Sequence, residues 1–215
     1  LTSGDTGEAT VTSTLTFTSA NWDTAQTATV TGVDDNTIDG TITSTLTIAV
    51  DDSNSDNDFD SVADQTVSVT TTDDDTAGFT ITQSEGTTGV AESGTTDTFT
   101  VVLDTQPTSD VVITLTSGDT GEATVTSTLT FTSANWDTAQ TVTVTGVDDV
   151  AVDGNQTTTI TASIDDDNSD DGYDSVEDQT VSVTTADDDT AGYTIVESGG
   201  STSVTESGTT DTFTL

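Results

Sequence analysis

Two runs of three consecutive aspartates, Asp73-Asp74-Asp75 and Asp187-Asp188-Asp189, are each followed by Thr-Ala-Gly and stand 114 residues apart. Adjacent carboxylates repel: a pair at about 4 Å costs roughly 1 kcal/mol in bulk water and about 4 kcal/mol at the effective dielectric of a protein surface. The chain holds 40 acidic residues and no Lys, Arg or His, for a formal charge of -40. No side chain of its own offsets that repulsion. Three carboxylates at a folded seam therefore call for an external cation, and an oxygen-only donor set suits a hard one, Ca²⁺ first. The competing reading is a solvated acidic linker, extended by self-repulsion. Strand-like residues before each run and Thr-Ala-Gly after it favour a short structured joint.

The same composition closes off several chemistries. Nucleic acid and anionic membrane both need a basic footprint, which this chain lacks. Without Cys there are no disulfides and no thiolate metal sites. Nucleophilic catalysis by Cys, Lys or a His-activated Ser is excluded. Only a carboxylate pair could act, as in glycosidases, and no Asp or Glu sits in an apolar sequence context that would raise its pKa. The chain is therefore not expected to be an enzyme. No apolar run of about 18 residues is present, so direct membrane insertion is not expected.

Self-comparison sets the organisation. Leu1 to Glu8 recurs as Leu115 to Glu122, Trp22 as Trp136, Phe59 as Tyr173, Phe79 as Tyr193 and Glu92 as Glu206, always at an offset of 114 residues. A period that long is a whole domain, not a solenoid coil. The aspartate seams divide the chain into the C-terminal part of one repeat (1–75), a complete repeat (76–189) and the first strands of the next (190–215). The 215 residues fall 13 short of two periods. This reads as a window cut from a continuous array or, less directly, as a chain completed by a neighbour in a fibre.

Within the complete repeat, stretches such as Phe79-Thr-Ile81, Phe99-Thr-Val101, Val142-Thr-Val144 and Val181-Ser-Val183 alternate apolar and polar residues. The bias to Thr and Val favours strands. Seven or eight short strands broken by Gly, Asp and Ser turns predict an all-β, Ig-like antiparallel sandwich with Thr facing out. The predicted core is Phe79, Ile81, Phe99, Val101, Ile113, Leu115, Leu129, Phe131, Val142, Val144, Ile160, Ile164, Val181 and Val183. Ala123-Thr-Val125 pairs with Thr128–Phe131 or with a neighbour. So thin a core implies marginal stability without a bound cation.

With strands and acidic loops placed, the repeat resembles a Calx-beta domain. The likeness rests on Glu92 just before a strand, Asp119 after a Ser-Gly turn, Leu129-Thr130-Phe131 before a loop and a Thr-Val-Thr-Val strand, the Asp148-Asp149 pair followed by Asp153-Gly154, and the Val-Ser-Val strand ending in Asp187–Asp189. It resembles units of the long tandem arrays in large bacterial surface proteins. The resemblance implies Ca²⁺ at one tip, held by Glu92, Asp119, Asp148, Asp149, Asp187, Asp188 and Asp189, with Asp153 in addition. In residues 1–75 the matching positions are Asp5, Asp34, Asp35, Asp73, Asp74 and Asp75. Gln156 and Thr157 stand where family units often carry further Glu, which puts a second ion per tip in doubt.

Other signals have plainer readings. Asp165–Gly172 is the densest acidic run; its EF-hand-like spacing, with Asp178 at the twelfth position, breaks in the sister copy, leaving a solvated hairpin loop. Trp22 and Trp136 read as plugs at the sandwich edge in preference to sugar platforms. The Thr-x-Thr runs read as exposed sheet faces, because a 114-residue period does not supply the ranks an ice-binding surface needs. Asn155-Gln156-Thr157 is a glycosylation sequon absent from the other copy. Together these predict an extracellular, secreted or cell-surface structural repeat, stiffened by Ca²⁺ between neighbouring repeats or identical subunits. The alternatives are an adhesin that contacts carbohydrate or a cell surface, and a filament assembled by strand donation.

Overall fold

Val, Ile and Thr lose side-chain freedom in a helix and pack well on a pleated surface. The computed structural model, which describes residues 1–215, is accordingly all-β, with only single 3-10 turns between strands. Residues 1–75 carry β1 (Thr2–Ser3), β2 (Ala9–Val11), β3 (Val30–Gly32), β4 (Ile42–Ile48) and β5 (Gln65–Thr71). Residues 76–189 carry β6 (Phe79–Gln83), β7 (Thr88–Ala91), β8 (Thr96–Leu103), β9 (Val111–Ser117), β10 (Ala123–Val125), β11 (Thr128–Phe131), β12 (Gln140–Gly146), β13 (Gln156–Ile164) and β14 (Gln179–Ala186). A last pair, β15 (Val196–Glu197) and β16 (Phe213–Thr214), is antiparallel.

Residues 76–189 form a sandwich of two sheets, ordered β10-β12-β8-β6 and β11-β9-β13-β14-β7. There are nine strands, against the seven or eight expected, and one pair is not antiparallel. β7 runs parallel to β14, with Thr88 opposite Val183 and Ala91 opposite Ala186. The switch follows a break after β6, where Glu85 and Gly86 take positive φ values of 54° and 82°. That turn releases the chain from one sheet and passes it to the other. β10 pairs with β12 and β11 with β9, so the two short strands lie in different sheets and do not pair with each other.

Alternation puts Phe99, Val101 and Leu103 of β8 and Val142 and Val144 of β12 against Val111, Ile113 and Leu115 of β9, Ile160 of β13 and Val181 and Val183 of β14. Ile81 and Ile164 lie at the margin, and Trp136 also packs there. Trp22, in residues 1–75, stays 72% exposed. The core also takes in Val90, Ala123, Ala162 and Tyr173, which the alternation alone did not mark. Threonine does not face out everywhere: Thr88, Thr105, Thr158 and Thr185 are buried. The hydroxyls of Thr88, Thr105 and Thr185 find partners, as where Thr185 Oγ1 donates to the Glu122 carbonyl at 3.3 Å and Thr105 Oγ1 meets Tyr173 Oη at 3.1 Å. A hydroxyl so satisfied removes the penalty of burying it.

Candidate metal centre

The parallel pair brings the acids together. Glu92 follows β7 directly, and Asp187 follows β14, so parallel neighbours end side by side. The Glu92 N–H donates to the Ala186 carbonyl at 3.1 Å, and the Asp188 N–H donates to Glu92 Oε2 at 3.4 Å. β12 arrives from the facing sheet and runs on into Asp148 and Asp149. Its last residue, Gly146, approaches β7 so closely that a Cβ there would meet the Ala91 carbonyl oxygen at 2.1 Å. Only glycine permits that approach, which sets the Asp148-Asp149 loop against Glu92. Glu122 enters from the turn before β10.

Two groups of three carboxylates result, Glu92/Asp149/Asp189 and Glu122/Asp149/Asp153, and in each the donor oxygens lie within 4.8 Å of one another. Oxygens that close can meet one ion at about 2.4 Å, a Ca²⁺–oxygen distance. Glu92 is 1% exposed, and its Oε1 has no hydrogen-bond partner. Glu122 Oε2 and Asp189 Oδ2 are also buried and unpartnered. A buried charged acceptor left unsatisfied costs more than about 1–3 kcal/mol. Three such atoms at one tip, in a chain with no basic side chain, fit an external cation.

Electrostatics agree with the geometry. Burial, with repulsion from Asp187, Asp149 and Glu122, pushes the Glu92 pKa up, against a hydrogen bond from Asp188. Burial and then Asp153 and Asp119 push Glu122 up, and burial and then Asp187 and Asp188 push Asp189 up. Upward pressure on several neighbouring carboxylates is what an added positive charge would relieve.

The other expected ligands have different positions. Asp187 accepts the Gly154 N–H at 2.7 Å through Oδ2 and the Asp189 N–H at 2.7 Å through Oδ1, so it organises the loops. Asp119 Oδ1 accepts the Gly121 N–H at 2.9 Å within its own turn. Asp148 and Asp188 line an open depression beside Glu92. Glu122 was not anticipated. Its signal was present, because Glu122 recurs as Glu8 three residues after the Asp119 and Asp5 positions.

In residues 1–75 the tip repeats with Glu8, Asp35 and Asp39 as its three-carboxylate group. Seven of the twelve residues lining this concavity are carboxylates, including Asp34, Asp74 and Asp75. Asp73 Oδ2 accepts the Asp39 and Gly40 N–H groups at 3.2 and 2.8 Å, and Asp5 accepts the Gly7 N–H at 3.0 Å. Backbone donors, the Asp75 N–H first, hold Asp73 below the usual range, while burial pushes Glu8 and Asp75 above it.

No family profile matches the chain, and no curated protein matches it. Among solved structures, it is similar to the surface layer protein SbsC, domains 1–6, at 22% identity and a TM-score of 0.41, over 78% of this chain and 19% of that one. It is similar to SbsC domains 4 and 5 at 20% identity and a TM-score of 0.36, over 74% of this chain and 62% of that one. SSP-19 from Caenorhabditis elegans, an MSP-domain protein, matches 49% of this chain and 97% of its own at 13% identity and a TM-score of 0.33. The chain thus spans less than two thirds of either S-layer chain.

Proposed function

We propose that residues 76–189 are a structural repeat of an extracellular or cell-surface protein whose acidic tip binds Ca²⁺ and stiffens the joint to the neighbouring repeat. The observation that carries this reading is the buried, unpartnered Glu92 Oε1, grouped with Asp149 and Asp189. Glu92 belongs to the sandwich and Asp189 to the seam that leaves it, so an ion shared between them ties the exit of the chain to the body of the domain. The second group, sharing Asp149, offers a second ion position. The Calx-beta resemblance favours Glu92, Asp149, Asp153 and Asp189 among these donors. Modules of this kind bind Ca²⁺ at about 10⁻⁴–10⁻³ M, which suits a calcium-replete medium outside a cell. The net charge keeps such strings soluble and apart. No catalytic role is assigned.

The test is calorimetric titration of CaCl₂ into chelator-treated protein, with Glu92→Gln beside it. Heat of binding in the wild type and its loss in Glu92→Gln support the reading; no binding at 10 mM would remove calcium from it.

The short strands of residues 190–215 leave their apolar positions uncovered. Tyr193 and Phe213 are 80% and 56% exposed, although their counterparts Phe79 and Phe99 are buried. Residues 190–215 therefore present apolar groups that further sandwich strands, in the same chain or another, would cover.

A further inference from the structure

The acidic loop of residues 34–40 does more than gather carboxylates. It is seated on the sandwich of residues 76–189. The Gln106 N–H donates to the Asn36 carbonyl at 2.7 Å and the Ile38 N–H donates to the Gln106 carbonyl at 3.4 Å, so Thr37 and Gln106 form a parallel bridge. Ile38 packs against the sandwich core. The seat is built for it. A Cβ on Gly172 would lie 3.4 Å from Ile38 Cγ2, at van der Waals contact, so this residue forms part of the wall against which Ile38 rests. Tyr173 Oη donates to the Thr105 carbonyl at 2.6 Å and Gln106 Nε2 donates to the Ser133 carbonyl at 3.0 Å, which fixes the rim.

The same loop recurs 114 residues later as Asp148–Gly154, with nothing seated against it. Its shape is already that of the docked copy. The Ala151 N–H meets Asp149 Oδ1 at 2.6 Å, as the Thr37 N–H meets Asp35 Oδ1 at 2.7 Å. The Gly154 N–H meets Asp187 Oδ2 at 2.7 Å, as the Gly40 N–H meets Asp73 Oδ2 at 2.8 Å. Gly154 and Gly40 have φ of 77° and 74°. Between the flanking acids stand Val150, Ala151 and Val152; Val150 is 91% exposed and Val152 57%. Three consecutive apolar residues on the surface of so acidic a chain want cover. Val152 occupies the place of Ile38, and the two main-chain hydrogen bonds of the docked loop do not depend on side-chain identity.

We infer that the Val150–Val152 tip is a docking surface for another copy of this sandwich, which receives Val152 in the seat formed by its own Gln106, Gly172 and Tyr173. The inference rests on the string reading above and gives that string its joint. A loop already in its bound shape loses little freedom on docking. The apolar contact sits beside the carboxylate groups, so ion site and protein contact share one loop. Copies joined this way repeat a single rigid-body step.

The chain has no cysteine, so cysteine cross-linking has no background. Lengthen it after Leu215 with a second copy of residues 102–215, which continues the 114-residue period. Place one cysteine pair at Thr37 and Gln106 as the reference, and in a separate variant a pair at Ala151 and the appended copy of Gln106. Bridge partners lie within disulfide reach. Oxidise each in calcium and in chelator. The inference expects the second pair to close at a rate comparable to the reference. It also expects Val152→Asp to slow closure about tenfold, the effect of roughly 1.4 kcal/mol, while the circular dichroism is unchanged. Closure of the reference alone overturns the docking inference and leaves the calcium reading intact. Failure of both pairs overturns the docked joint and the string reading together.

Discussion

Two buried carboxylates of the complete sandwich, each in an acidic region, are treated in opposite ways. In the loop of residues 165–174, the densest run of acids, Asp170 is buried and saturated: its Oδ2 accepts from the Thr108 N–H at 2.7 Å, Thr108 Oγ1 at 2.7 Å and the Ser109 N–H at 2.8 Å, and its Oδ1 from the Gly172 N–H at 2.9 Å. Burial alone would raise its pKa, yet these donors hold it below the usual range. At the tip, Glu92 is as buried, and one of its oxygens has no partner. Density of negative charge in the sequence is therefore not what singles out the proposed cation site. What differs is satisfaction: Asp170 is a staple whose donors come from the protein, and Glu92 Oε1 has none, as the proposed cation site requires.

The sharpest way to break this contrast is to remove each carboxylate with calcium present and absent. Asp170→Ala strips the acceptor from four donors, and at about 1–3 kcal/mol for groups left unsatisfied it is expected to destabilise the chain by about 3–5 kcal/mol in urea unfolding, equally in calcium and in chelator. A calcium-dependent loss would make Asp170 a ligand. Calcium itself should come next in size, adding about 2.7 kcal/mol at a hundred times its Kd. Glu92→Gln should abolish that increment and leave the chelated protein no less stable, because the variant removes a repelled charge.

The pH profile gives the contrast a sign. Glu92, Glu122 and Asp189 have raised pKa values in the fold. Without calcium their contribution to stability is full below the unfolded values of about 4 and fades as pH rises through the folded ones. Asp170 and Asp97 have lowered values, so their contribution is present above about 4 and is lost on further acidification. Chelated protein should therefore melt higher at pH 5 than at pH 7.5. Calcium should reverse that order, since it binds the ionised carboxylates. The smallest effect separates neighbours: Glu122→Gln should weaken calcium binding more than Asp119→Asn, because Asp119 is committed to the Gly121 N–H. Equal losses would make Asp119 as much a ligand as Glu122.

The sandwich was legible because alternation along β8, β9, β12 and β14 is a local property, and each of these strands turns alternate apolar residues into the core. The parallel placement of β7 was not, since strand direction depends on a crossing between sheets that two residues of positive φ permit. Tyr173 was hidden by its acidic neighbours; the Thr105 carbonyl that accepts its hydroxyl is distant in sequence. At the tip, Glu92, Asp149, Asp153 and Asp189 could be read from repetition and likeness. Glu122 was overshadowed by Asp119, whose Ser-Gly turn is the more conspicuous pattern, and only the fold shows that Glu122 Oε2 is buried without a partner.

The parallel β7–β14 pair has a mechanical consequence. Tension drawing the two ends of the repeat apart would pull β7 toward Thr88 and β14 toward Ala186. Parallel neighbours pulled so slide past one another, and the hydrogen bonds from Thr88–Val183 to Ala91–Ala186 are strained together, not peeled one at a time. The Glu92 contacts to Ala186 and Asp188 lie at the end of this clamp. A metal ion placed there would act as a rivet against shear.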